Sequence, residues 1–201
     1  LPPKVKGRAA ITDEAEFGQL LHRLDEYTGW PVIPAAMKFQ ILTCTRPGEA
    51  RGARMSEFDL EAKTWTIPPE RMKMRREHKV PLSRQAYEIV LESWSEIDDV
   101  ELLFPSLQSN RKLLSENAFN TVLRRLGYSG DEVTAHGFRV TASTILNSRE
   151  YNPDVIEAVL AHQDTNAIRR TYNRTTYWDQ RVELMQIWAD LCDEFRFYLR
   201  N

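Results

Sequence analysis

The sequence predicts a mainly helical α+β domain with a small three-stranded antiparallel sheet. Three observations lead there. Most of the chain repeats its apolar residues at helical spacing. Near the middle the period changes, and Lys63-Thr-Trp-Thr-Ile67 alternates in β-branched and aromatic residues. The length, 201 residues at 42% hydrophobic, suits one full-sized core and rarely two.

Residues 1–12 open with Leu1-Pro2-Pro3-Lys4, a poor helix start, and read as a linker or the edge of a domain cut from a longer protein. The domain proper is expected over 13–201. Asp13 followed by Glu16 resembles a capping box, with Phe17, Leu20, Leu21 and Leu24 at helical spacing, so a helix is predicted over 14–28. A second helix covers 33–45 and stops at Pro47-Gly48. Strands follow at 63–67, 72–74 and 78–82, the last two joined by a basic turn. Ser83 caps a helix to about residue 97, with Ala86, Ile89, Val90 and Trp94 on its apolar face. Residues 102–105 form a short extended link, and Ser115 with Asn117 begins a helix that Gly127 ends. Helices are expected near 135–148, 153–161 and 165–172, and a long amphipathic helix over 179–198 ends the pattern. Its apolar set, from Val182 through Leu184, Met185, Ile187, Trp188, Leu191 and Phe195 to Tyr198, is wider than one core face needs. Burial in its own domain and docking on a neighbouring copy are equally open.

Composition excludes several classes. Mean hydropathy is −0.51, and no apolar run approaches the ~18 residues that span a bilayer. Cys44 and Cys192 read as two reduced, buried thiols in a cytoplasmic protein rather than a disulfide. Net charge is −2, which argues against nucleic-acid binding until its distribution is considered. Between residues 71 and 79, Arg71, Lys73, Arg75, Arg76 and Lys79 face only Glu77, and a second basic cluster is Arg169, Arg170 and Arg174. Acid gathers elsewhere, at 13–16, 96–101 and 190–194. A polarised surface is compatible with a net charge near zero.

The chemistry lies in an ordered set: Arg46 with Glu49, Lys73, His136-Gly-Phe-Arg139, His162, then Tyr172. Each alone is ordinary, since a His-x-x-Arg is usually a surface pair and a lone Tyr usually packs. Together they form the kit for phosphoryl transfer onto tyrosine. Two guanidiniums hold non-bridging oxygens and stabilise a pentavalent transition state. A phenol of pKa ~10 needs a base or an electropositive site before it attacks. The leaving 5′ oxygen needs a proton from a general acid. No step calls for a metal or cofactor.

Thr45-Arg-Pro-Gly-Glu49, the run from Trp65 to Met74 with His78-Lys-Val-Pro-Leu-Ser83, Thr134-Ala-His136-Gly-Phe-Arg139, Leu160-Ala-His162 and Arg170-Thr-Tyr172-Asn-Arg174 carry a resemblance. From about Asp13 to Trp188 the chain resembles the tyrosine recombinase (phage integrase) family, in particular the integrases of satellite phages, prophages and genomic islands. The resemblance implies the catalytic-domain fold of DNA breaking-rejoining enzymes. It implies that Arg46 and Arg139 bind the scissile phosphate, with His162 donating to it. His136 is then the base or proton relay, Lys73 the general acid with Lys79 as alternative, and Glu49 a carboxylate that positions an arginine or histidine. Tyr172 is the nucleophile of a 3′-phosphotyrosyl link. Arg71, Arg75, Arg76, Lys79 and Arg174 are expected to contact DNA. Partners are double-stranded DNA attachment sites, other protomers as a tetramer on DNA, and host bending or directionality factors, in a bacterial cytoplasm at the nucleoid. Core-binding and arm-binding domains are expected upstream in the whole protein.

Tyr177, Tyr151 and Tyr128 are rivals for the nucleophile, Tyr177 the most serious by position. His78 is expected to pack or hydrogen-bond near the hairpin, His22 to lie on a polar helix side, and Trp65 and Trp94 to be core. Two other functions compete. A catalytically silent DNA-binding or excision-accessory module would have lost part of the set. A helical interaction domain would leave two arginines and a basic hairpin unexplained.

Overall fold

The fold was obtained as a computed structural model, in which residues 9–95, 101–161 and 177–197 are described. Asp13 caps α1 (Glu14–Asp25), its carboxylate accepting from Glu16 N at 2.9 Å. Next come α2 (Val32–Thr43), α3 (Pro47–Arg51), β1 (Phe58–Asp59), β2 (Thr64–Ile67), β3 (His78–Pro81) and α4 (Arg84–Ser95). After them come β4 (Pro105–Ser106), β5 (Ser109–Leu113), α5 (Ala118–Arg125), α6 (Gly137–Ser148), α7 (Pro153–Val159) and α8 (Trp178–Phe197). This is the mainly helical α+β domain that the periodicities predict.

The three-stranded sheet is antiparallel in the order β1-β2-β3, with Trp65 opposite Val80 and Ile67 opposite His78. Its third strand is not the one expected. Residues 72–74 turn rather than extend: Pro68 and Pro69 lack ladder donors, a 3₁₀ turn runs through Pro69–Arg71, and Arg75 takes φ +49°. Phe58–Asp59 fills the edge instead. The sequence reads residues 102–105 as a short extended link. They lead into a two-stranded hairpin, β4–β5, whose polar β5 (Ser109–Leu113) lacks a β-branched or aromatic signature.

Helix α8 packs along α1 and against α7, α2 and α4. The α1 contact is close enough that a Cβ on Gly18 would lie 2.2 Å from Phe195 O. Leu184, Met185, Trp188, Leu191 and Phe195 are buried, and Trp188 Nε1 donates to Ile41 O at 2.9 Å. Val182 remains exposed. The helix therefore serves its own core; Tyr198 lies outside the described residues.

Residues 9–12 belong to the domain rather than to a linker. Thr134 N donates to Ala9 O at 3.2 Å, Thr141 Oγ1 donates to Ile11 O at 2.7 Å, and Ile11 is buried. Gly137 permits this, since a Cβ there would stand 2.1 Å from Ala9 O. Cys44 and Cys192 are buried free thiols. Trp65 is core, whereas Trp94 is exposed. The helix predicted over 165–172 falls outside the described residues. Among those described, no helix is long and apolar enough to cross a membrane.

Candidate active site

Cys44 ends α2 in the left-handed region, φ +53°, its N–H returning to Ile41 O. That reversal delivers Arg46 to the N-cap of α3, where Pro47 takes the first helical position. Glu49, buried at the third position, accepts from Arg46 N and from Arg46 Nη1, each at 2.8 Å. One carboxylate thus caps the helix and pins the guanidinium.

Arg139 arrives from the first turn of α6 and is 8% exposed. Its guanidinium donates to Cys44 O and, at 2.5 Å, to Leu160 O. Cys44 lies two residues before Arg46, so α3 and α6 bring the two arginines to one region. Burial pushes the Cys44 thiol up to about 12, which leaves it inert despite the nearby Arg139 charge. Gln40 makes a second tie between the Thr45–Glu49 and Thr134–Arg139 segments. Its Nε2 donates to Thr45 O at 3.3 Å and to Ala135 O at 2.7 Å. Asn120 Oδ1 then accepts from Ala135 N at 3.0 Å. Neither residue was singled out in the sequence; the available signal was a lone amide inside the apolar run of α2. His136 is exposed at the N-cap of α6, one turn before Arg139.

Lys73, Arg75, Arg76 and Lys79 are exposed on the turn and on β3. Arg71 differs. Its guanidinium binds the Glu57 carboxylate and donates to Glu49 O at 2.6 Å, so it braces α3 from inside rather than facing solvent. The cause is Glu57, whose side chain is 6% exposed and needs a buried partner. His162, Tyr172 and Arg174 lie outside the described residues. Of the rival tyrosines, Tyr151 and Tyr177 pack half-buried against the core. Tyr128 carries Arg23 over its ring, and burial raises its pKa, the wrong direction for a nucleophile. Among the described residues no cluster of His, Cys, Asp and Glu could hold a metal ion.

His78 is buried on β3 and hydrogen-bonds the Val159 backbone at the end of α7. Burial lowers its pKa to about 3, helped by Arg181, Arg139 and Arg46. The ring is therefore neutral in the folded protein at every ordinary pH. Between about 6.5 and about 3 only the unfolded chain takes the proton, so stability falls with acidification by up to ~1.4 kcal/mol per pH unit. His78→Gln should flatten that slope in urea titrations across the window. Parallel slopes for the two proteins would show that the ring does not contribute.

The sequence profile of the Phage integrase family matches residues 11–178. The chain is 40% identical over 189 residues to Prophage integrase IntA of Escherichia coli (strain K12), covering 94% of this chain and 45% of that protein. It is 40% identical over 195 residues to the Integrase of Enterobacteria phage P4, covering 89% and 44%. It thus spans less than half the length of these relatives. Among solved structures, an integrase from mycobacterium phage Brujita superposes with a TM-score of 0.65 at 18% identity, over 92% of this chain and 59% of that one. A lambda integrase(75-356) dimer bound to a COC' core site gives 0.61 at 20% identity, over 80% and 60%. The fold is that of a tyrosine recombinase catalytic domain, and the chain belongs to the phage integrase (tyrosine recombinase) family.

Proposed function

We propose that this chain is the catalytic domain of a site-specific DNA recombinase that integrates or excises a mobile element through a 3′-phosphotyrosyl intermediate. The observation that carries the reading is the pairing of Arg46 and Arg139. Two guanidiniums from separate elements share one region, one held by Glu49 and the other by two carbonyls. Such a preorganised pair suits the two non-bridging oxygens of a phosphodiester.

In this mechanism the Tyr172 oxygen attacks phosphorus while the bond from phosphorus to the 5′ oxygen breaks. His136 accepts or relays the phenol proton, Lys73 protonates the leaving oxygen, and His162 donates to the phosphate. Rejoining reverses these steps with another 5′ hydroxyl, so one ester is exchanged for another and no ATP is needed. Arg75, Arg76, Lys79 and Arg174 contact the duplex. In the whole protein, core-binding and arm-binding domains complete the grip on the attachment site, and four protomers assemble on DNA with host bending or directionality factors. The integrases of phage P4 and of E. coli prophages support the element class, and the DNA-bound lambda structure supports the substrate.

Incubation with a nicked half-site should trap a covalent protein–DNA adduct; no adduct at any protein concentration would remove the reading. The general acid is assigned separately. Lys73→Ala should slow cleavage of normal DNA by ~10²-fold. A bridging 5′-sulfur substrate, whose thiolate leaves unprotonated, should restore most of that rate. Rescue of Lys79→Ala in place of Lys73→Ala would move the acid to Lys79.

A further inference from the structure

Arg181 belongs to no motif, yet its surroundings are unlike those of an ordinary helix arginine. It lies in the first turn of α8, where a cation opposes the helix dipole, and it is 6% exposed. Its Nη2 donates to Lys79 O, and its guanidinium carbon stands 5.5 Å from the Trp178 ring centroid. Nε is buried with no hydrogen-bond partner. Arg46 and Arg71 each have a carboxylate, Glu49 and Glu57, but among the described residues none answers Arg181. Desolvation alone brings its pKa down, to about 10. A buried, charged, partly unsatisfied group is costly, and groups with pKa values perturbed by burial cluster at functional sites.

The neighbourhood supplies the anion's identity. Lys79, whose carbonyl Arg181 holds, follows His78, which bonds the Val159 backbone. Leu160, whose carbonyl Arg139 holds, follows Val159. The two arginines are therefore fastened to adjoining points of one junction between β3 and the end of α7. The His78 ring lies in the fields of Arg181, Arg139 and Arg46 together. The neutral imidazole adds no charge of its own. Arg46 is paired with Glu49, whereas among the described residues no carboxylate answers Arg181, so Arg181 leaves positive charge at the junction.

We propose that Arg181 is a third guanidinium of the phosphate pocket, a positioning residue that braces β3 and adds its charge to that of Arg46 and Arg139. The inference rests on the reading of those two as phosphate ligands. The group its charge acts on is the phosphodiester passing to a pentavalent phosphorane, which carries more negative charge than the bound ground state. A fixed buried cation therefore acts more on the rate than on binding.

The test is single-turnover adduct formation on a nicked half-site over a range of DNA concentrations. Arg181→Met keeps the apolar stem and removes the charge. It should lower the maximal rate at least ~30-fold while the half-saturating DNA concentration moves less than ~3-fold. Arg181→Lys, which retains the charge, should recover most of the rate. A folded Arg181→Met variant with the wild-type maximal rate would overturn the proposal. Should Arg181→Met fail to fold, the wild-type chain decides. Its Arg181 Nε–H resonance, assigned by its loss in Arg181→Lys, should shift and saturate on titration with inorganic orthovanadate. An unmoved resonance would overturn the proposal. If Arg46→Ala and Arg139→Ala also left the adduct rate unchanged, the underlying phosphate-pocket reading would fail with it. Loss in those two alone would sink only the role of Arg181.

Discussion

Tyr172→Phe should abolish covalent adduct formation completely while leaving the fold and DNA binding as they are. The change removes one hydroxyl and keeps the ring, so any packing by that side chain survives. Chemistry does not survive, because no other atom on the ring can attack phosphorus. The rival tyrosines offer poor substitutes. Tyr128 is stacked under Arg23 with its pKa raised, and Tyr151 and Tyr177 are packed against the core. Denaturing gels of wild type and variant with the nicked half-site measure the adduct, and gel shifts measure binding. Adduct persisting in Tyr172→Phe, and disappearing instead in Tyr177→Phe, would move the nucleophile to Tyr177.

Arg139→Ala should produce the second large effect, and it should act twice. Loss of a guanidinium from the transition state costs ~10²–10³ in rate at comparable sites. The same change leaves Cys44 O and Leu160 O without their donor in a buried setting. Each unpaired carbonyl costs about 1–3 kcal/mol, so the variant should also unfold at visibly lower urea. Arg139→Lys separates the two effects. It keeps the charge but cannot span both carbonyls with a planar fork. Stability should therefore remain below wild type, with part of the rate regained. An Arg139→Ala variant as stable as wild type would contradict the observed anchoring, whatever its rate.

The periodic parts of this protein were legible in its sequence. Helical spacing marked α1, α2, α4, α6, α7 and α8 to within a few residues, and alternation marked β2 and β3. The ordered motif singled out Arg46, Glu49 and Arg139, and in the fold Glu49 holds the Arg46 guanidinium while Arg139 donates to Cys44 O, two residues before Arg46. Arg71 misled, since a basic residue in a basic run looks the same whether it faces DNA or a buried Glu57.

What the sequence determined by itself was therefore the helical α+β class, the family, and the candidate set from Arg46 to Tyr172. The tertiary structure alone decided the edge strand Phe58–Asp59, the β4–β5 hairpin and the entry of residues 9–12 into the core. It alone decided that Gln40 ties Thr45 to Ala135, and that Arg181 and Arg139 are anchored on Lys79 O and Leu160 O to either side of the His78–Val159 hydrogen bond. The physical reason is the same in each case. Local periodicity and motif chemistry are written in neighbouring residues. The partner of a buried polar group lies across the core, 95 residues away for Gln40 and 102 for Arg181, where spacing carries no signal.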